Sequence, residues 1–178
     1  MARKTVEDLF IHELSDIYSA EKQITKALPR LARAATNPLL ADAFTSHLEE
    51  TQGQIERIDQ LVELTGLKLK RMKCVAMEGL VEESKELLDE IEKGAVLDAG
   101  LIGAAQKVEH YEIAGYGTAR TYAELLGFDD HTELLQQTLD AIEAGIGSQR
   151  ASLASLLADA SEAELAGTAV NAKQANSI

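Results

Sequence analysis

Tryptophan is absent from this sequence, proline occurs twice, cysteine once, and aromatic residues make up only 4% of the chain. A chain so poor in rings and prolines, yet 46% hydrophobic, must fill its core mainly with Ala and Leu. That composition suits helices better than a sandwich or barrel. The single cysteine, Cys74, excludes an intramolecular disulfide and fits a reducing compartment such as the cytoplasm. Positive charge is scarce too: 17 Lys and Arg stand against 30 Asp and Glu, a formal charge of −13. Broad binding to nucleic acid or to an anionic membrane is therefore not expected, because phosphate contacts need basic side chains. No apolar run nears the roughly 20 residues of a membrane span. Glu7 and Asp8 precede any apolar stretch, so no secretory signal is expected. Phosphate-binding glycine loops, dinucleotide fingerprints and nucleophile elbows are all missing.

What is present is helical periodicity in five segments. Thr5 and Asp8 resemble a capping pair, and Phe10, Leu14, Ile17, Glu21, Ile24, Leu28 and Leu31 recur by fours and threes along one face. Pro29 falls inside that pattern and predicts a kink or an end near it. Asn37 and Pro38 open a second helix that Gly66 closes. A basic stretch with Lys68, Lys70, Arg71 and Lys73 reads as a solvated connection. A shorter amphipathic segment follows over residues 77–93, closed by Gly94. The fourth segment opens near Asp98 and stops at Gly127, with Leu101, Ala105, Val108, Glu112, Gly115, Ala119, Tyr122 and Leu126 as its seam. Asp129 and Asp130 can cap a fifth segment reaching about residue 160, and residues 161–178 read as a polar, Ala-rich tail that frays. Four long helices and a short one predict an all-α domain over residues 1–160. Its expected form is a ferritin-like antiparallel four-helix bundle with one short crossover helix. The apolar face of the short segment, with Met77, Leu80, Val81, Leu87, Leu88 and Ile91, predicts a homodimer.

Three seams carry polar residues about midway. Glu21 takes a slot otherwise held by Ile, Leu and Phe. On the second helix Phe44, His47, Glu50, Gln54, Ile58 and Leu61 share a broad face, and on the fourth Glu109 and Glu112 project together. Each alone has an ordinary reading: a partly exposed Glu, a hydrogen-bonded core His, a favourable helix pair. Together they would crowd carboxylates inside a bundle, which is costly unless protons or cations compensate. Two divalent ions would do so, and carboxylates with an imidazole suit iron or manganese. Tyr111, Tyr116 and Tyr122 are packing residues or partners near such a site. Cys74 with Met72 and Met77 matches no strong motif and reads as an idle thiol.

The stretches at residues 10–23 (FIHELSDIYSAEKQ), 47–58 (HLEETQGQIERI), 71–79 (RMKCVAMEG) and 106–114 (QKVEHYEIA) closely resemble the bacterial YciE/YciF family. The resemblance spans roughly residues 4–140. It implies a ferritin-like, rubrerythrin-type helix arrangement, dimers and an association with stress. It also implies Glu21, Glu50, Glu109 and Glu112 as metal ligands. His47 is an addition read from the seam, and Gln54 would orient a ligand. In the last helix Ile142 stands where the family pattern leads one to expect Glu; Glu143 or Asp140 would serve if the helix rotates near Gly145 and Gly147. The expected function is a di-iron, or else manganese, carboxylate site with ferroxidase or peroxide-reducing activity, its electron donor unidentified. The competing reading is a metal-poor dimeric structural protein with a degenerate site.

Overall fold

The computed structural model describes residues 4–145, and among these the chain forms five helices and no strand. They are α1 (Val6–Ala34), α2 (Pro38–Thr65), α3 (Val75–Glu90), α4 (Ala95–Leu126) and α5, which is described over residues 129–145. The tail expected from residue 161, and the expected end of α5, lie outside the described residues.

Local chemistry sets the ends. Thr5 Oγ1 accepts from Asp8 N at 3.0 Å while Lys4 N donates back to Asp8 Oδ2 at 3.1 Å, so the expected capping pair starts α1. Pro29 does not end α1, which runs on for five more residues. The N–H missing at Pro29 would have answered the Thr25 carbonyl, and the helix continues through that single lost bond. Asn37 caps α2 ahead of Pro38, and Gly66 and Gly127 close α2 and α4 at φ 67° and 71°, where a Cβ would be strained. Helix α3 starts two residues before the apolar pattern suggested because Cys74 Sγ accepts from Met77 N.

Asp98 does not open α4 but lies inside its first turn, buried, with a tethering role. Its carboxylate accepts from Thr36 N at 2.8 Å, Asn37 N at 2.8 Å and Thr36 Oγ1 at 2.6 Å, pinning the α1–α2 loop to α4. Asp98→Ala would leave two loop N–H groups unanswered. It is expected to cost on the order of 2–4 kcal/mol in urea denaturation, with helix content unchanged in the native state.

The core has two apolar halves. One gathers Ile24, Leu28 and Leu31 of α1, Leu40 and Phe44 of α2, Met77 of α3, and Leu97, Leu101 and Val108 of α4. The other gathers Phe10, Leu14 and Ile17 of α1, Ile58 and Leu61 of α2, Tyr116 and Ala119 of α4, and Leu135 and Ile142 of α5. Phe10, Phe128 and His131 stack at centroid distances of 5.3–6.1 Å, and His131 Nε2 meets the Leu61 carbonyl at 3.1 Å, seating α5 against α1 and α2. Gly115 lets α4 close on α1, since a Cβ there would stand 3.0 Å from Ile17. On α3, Leu80, Val81, Leu87 and Leu88 pack against their own chain's core, with Met77 fully buried. Leu80, Val81, Leu87, Leu88 and Ile91 remain only partly buried there, so part of the face expected to pair with a second copy is still accessible.

Candidate metal centre

Between the two apolar halves lies a polar layer, and three helices cross it at the same depth. Along α1 the buried residues run from Phe10, Leu14 and Ile17 through Glu21 to Ile24 and Leu28. Along α2 they run from Phe44 through His47, Thr51 and Gln54 to Ile58, and along α4 from Leu101 and Val108 through Glu109 and Glu112 to Tyr116. Glu21 is 0% exposed, Glu112 1% and Glu109 4%, so none is a surface carboxylate leaning on the seam.

These side chains face one another. His47 Nδ1 stands 3.9 Å from Glu109 Oε1, and His47 Nε2 stands 3.9 Å from Glu112 Oε2. The carboxyls of Glu21 and Glu112 are neighbours, each influencing the other's protonation. Tyr116 OH, fully buried, donates to Glu21 Oε1 at 2.7 Å. With the acids ionised, Glu21 Oε2 and both Glu112 oxygens have no donor among the described residues.

Burial controls the protonation. Desolvation pushes Glu21 up to about 8, although Tyr116, Glu112 and the Arg57 guanidinium each pull it back. Glu112 is pushed well above the carboxylate range by burial, then by the charges of Glu21 and Glu109. His47 falls to about 4 because burial disfavours the imidazolium. At neutral pH the layer therefore holds protonated Glu21 and Glu112 beside a neutral imidazole. A neutral imidazole is the ligating form, and the two acids offer protons that a cation can displace.

The remaining site candidates are arranged differently. Glu50 is exposed, and Thr51 takes the inward slot beside His47, donating to the His47 carbonyl at 2.8 Å. Glu50 still lies near enough for its charge to raise Glu112. On α5, Ile142 is buried in the apolar half and Glu143 is exposed. The α5 position that meets the layer is Gly145, where a Cβ would stand 3.9 Å from Glu109 Oε1. Sequence reading took Gly145 only as a point of helix rotation, and it missed Thr51 and Arg57, whose Nε donates to Thr138 Oγ1 at 2.7 Å and links α2 to α5. A second polar chain runs from Cys74 Sγ to Tyr111 OH at 3.0 Å and on to Asp16, so Cys74 is a partnered thiol, raised by burial.

The donor set fits a metal of borderline hardness: three carboxylates and an imidazole, with acceptor oxygens that lack a protein donor. Ligands roughly 2.1 Å from one ion lie about 3–4 Å from each other. Each 3.9 Å contact of His47 has that spacing, but Nδ1 and Nε2 face different ways, so only one of the two contacts can belong to a given ion. Among the described residues no three His, Cys, Asp or Glu side chains already have their donor atoms gathered for an ion. The acids turn instead toward Tyr116 and one another.

The family described as a domain of unknown function (DUF892) matches residues 5–166. Protein YciF of Escherichia coli K12 is 62% identical over 145 residues, covering 81% of this chain and 87% of that one. The chain belongs to the YciF family. The crystal structure of the E. coli stress protein YciF superposes with a TM-score of 0.85 at 57% identity, over 87% of this chain and 98% of that one. YcfI of Rhodopseudomonas palustris, described as "a putative structural protein", gives a TM-score of 0.79 at 48% identity, over 83% and 94%. The all-helical arrangement is thus shared within the family.

One substitution probes α5 directly. Gly145→Glu would start an acidic side chain whose Cβ stands 3.9 Å from Glu109 Oε1, an ordinary contact. It is expected to lower the Tm of metal-free protein by a few degrees, because another acid joins a crowded layer. Ferrous or manganous ion should then raise the Tm of this variant more than that of the parent, as a thermal melt with and without metal would report.

Proposed function

We propose that this member of the YciF family is a ferritin-like four-helix bundle, with α1, α2, α4 and α5 as its long helices and α3 as the crossover. Its buried polar layer would bind iron or manganese, in a dinuclear arrangement, as part of a cytoplasmic response to oxidative stress. The observation that carries this reading is the coincidence of depth: three helices interrupt their apolar seams together and bring Glu21, His47, Glu109 and Glu112 into mutual reach. Packing alone does not explain several buried acids in one layer, since a buried carboxylate costs stability unless something compensates it.

Glu21, Glu109, Glu112 and His47 would hold the metal, with Glu50 at the exposed rim. When bound, iron supplies ferroxidase or peroxide-reducing chemistry. The chain's own residues do the rest. Tyr116 fixes one oxygen of Glu21, and the other, which has no donor, would be the one to ligate. Arg57 lowers the cost of ionising Glu21. The apolar halves above and below limit water. Because Glu21 and Glu112 must lose protons, affinity should rise with pH toward about 8, while His47 adds no such dependence above about 4. Calorimetric titration of ferrous ion under anaerobic conditions, in buffers of different ionisation enthalpy, should count protons released. Binding without proton release would contradict the assignment of Glu21 and Glu112.

A second reading is favoured by α5. Ile142 and Gly145 occupy its inward positions and Glu143 is exposed, so the described part of α5 brings no carboxylate inward at the layer. On that reading the layer is a degenerate site in a structural protein, its acids kept neutral by shared protons.

A further inference from the structure

The sequence's only dense basic stretch is solvent-exposed, as expected of a solvated connection, yet it has a fixed place. It folds against α1 and closes one side of a groove of about 520 Å³. Lys70, Arg71 and Lys73 from the α2–α3 connection meet Lys22 and Lys26 from α1 across it. Five of the chain's 17 cationic residues thus share one groove, in a protein of formal charge −13, and no carboxylate lines it.

The connection is held rigidly. Three α1 side chains one turn apart stitch it down: Ser15 Oγ accepts from Lys70 N at 2.9 Å, Ser19 Oγ accepts from Cys74 N at 2.9 Å, and Gln23 Nε2 donates to the Cys74 carbonyl at 3.0 Å. The Tyr18 ring supports Lys22, whose Nζ lies 4.1 Å from its centroid. Like charges gathered this way repel, so the fold spends stability to assemble them. Competition from the protein's own acids is slight. Lys73 pairs with Glu78, whereas Lys22, Lys26, Lys70 and Arg71 make no ion pair among the described residues. Lys70 is felt by Asp8 only as the smallest of the influences on that carboxyl, of which the Lys4 N–H is the largest.

We infer that this groove binds a small anion bearing several adjacent phosphates, such as an inorganic polyphosphate or the phosphate chain of a nucleotide. Arg71 offers a planar fork for one phosphate, and Lys22, Lys26 and Lys70 offer point charges for its neighbours. The volume matches such ligands, falling inside the ordinary range of about 300–1,000 Å³ for small-molecule sites. An extended nucleic-acid strand is disfavoured by the chain's overall formal charge of −13. The inference is independent of the metal reading.

The test is calorimetric titration of inorganic tripolyphosphate into the full chain, with ATP and AMP in parallel, at low salt and at about 0.15 M salt. The expected result is saturable binding that persists at the higher salt. Lys22→Gln, Lys70→Gln and Arg71→Gln combined should weaken it about tenfold or more, and Lys93→Gln with Lys107→Gln, two cations elsewhere, should leave it unchanged. Equal affinity for tripolyphosphate and ATP assigns the phosphate chain alone; tighter ATP together with measurable AMP binding adds the nucleoside, with the Tyr18 ring as its nearest aromatic surface. The combined variant also controls for tripolyphosphate chelating metal, which it would not abolish. The three changes are on exposed side chains, and an unaltered circular dichroism melt confirms the fold. No binding at millimolar tripolyphosphate, binding abolished by 0.15 M salt, equal binding by the triple variant, or tighter binding of a single-stranded oligonucleotide would each overturn the proposal.

Discussion

Glu112→Gln is expected to abolish stoichiometric metal binding while making the metal-free protein more stable. Glu112 sits at the centre of the polar layer, opposite His47 Nε2, against Glu21 and in the field of Glu109 and Glu50. Gln keeps the shape of the side chain but cannot supply a negative oxygen to bridge cations. Loss of such a ligand should weaken binding by at least about 100-fold, given the one to two orders of magnitude typical even for residues that only support a ligand. The same change removes a carboxyl whose ionised form is opposed by burial and by three neighbouring acids. In chelator the variant should therefore melt several degrees above the parent at pH 8. Opposite signs for metal content and apo-stability are the signature of a site kept at the expense of packing; an inert structural glutamate would not show the first effect.

Glu21→Gln should change how stability depends on pH. In the unfolded chain Glu21 titrates near its ordinary value of 4.5, and in the fold at about 8. Between those values the folded state holds a proton that the unfolded state has released, so Glu21 makes stability fall as pH rises toward 8. His47 acts in the other direction over a lower window. Its folded value of about 4 lies below its ordinary 6.5, so it makes stability rise between pH 4 and 6.5. The two oppose below pH 6.5, and the glutamate effect stands alone from 6.5 to 8. Urea midpoints of metal-free protein should decline across that interval in the parent and decline less in Glu21→Gln, the residual slope belonging to Glu112. At pH 8.5 the variant should gain on the order of 2–4 kcal/mol. Gln can still accept the Tyr116 hydrogen bond, so packing is conserved. Parallel pH profiles for the two proteins would mean that Glu21 is ionised in the fold without penalty.

Much of this site was legible because its residues interrupt strict periodic seams. Glu21 and Glu112 stood in apolar seams with Glu109 projecting beside Glu112, and the fold buries all three. Glu50 and Glu143 mark where reading became loose. On α2 the buried positions alternate as Phe44, His47, Thr51, Gln54, Ile58 and Leu61, in steps of three and four throughout; taking Glu50 instead breaks that alternation. On α5 the steps through His131, Leu135, Thr138, Ile142 and Gly145 point inward and leave Glu143 outside. Both distinctions follow from helix geometry, but a carboxylate expected at a metal site outweighed a threonine and a glycine with no chemistry of their own. Other features were not legible. Asp98 only marks where the fourth segment opens until the fold returns the α1–α2 loop to it, 61 and 62 residues away in sequence. The basic connection reads as solvated, and it is exposed, but only the three-residue stitch from α1 reveals where it lies. Sequence also cannot say how an apolar face such as that of α3 divides between its own core and a second copy; within the chain it is only partly buried.

The central claim, that the polar layer is a metal centre, is tested most directly by elemental analysis of protein purified without chelator or metal-affinity resin, beside the double variant Glu109→Gln, Glu112→Gln. Iron or manganese at one to two ions per chain in the parent, and essentially none in a folded double variant, is the predicted result. A parent without bound metal after loading with ferrous or manganous ion, or a double variant that retains the same stoichiometry, would contradict it.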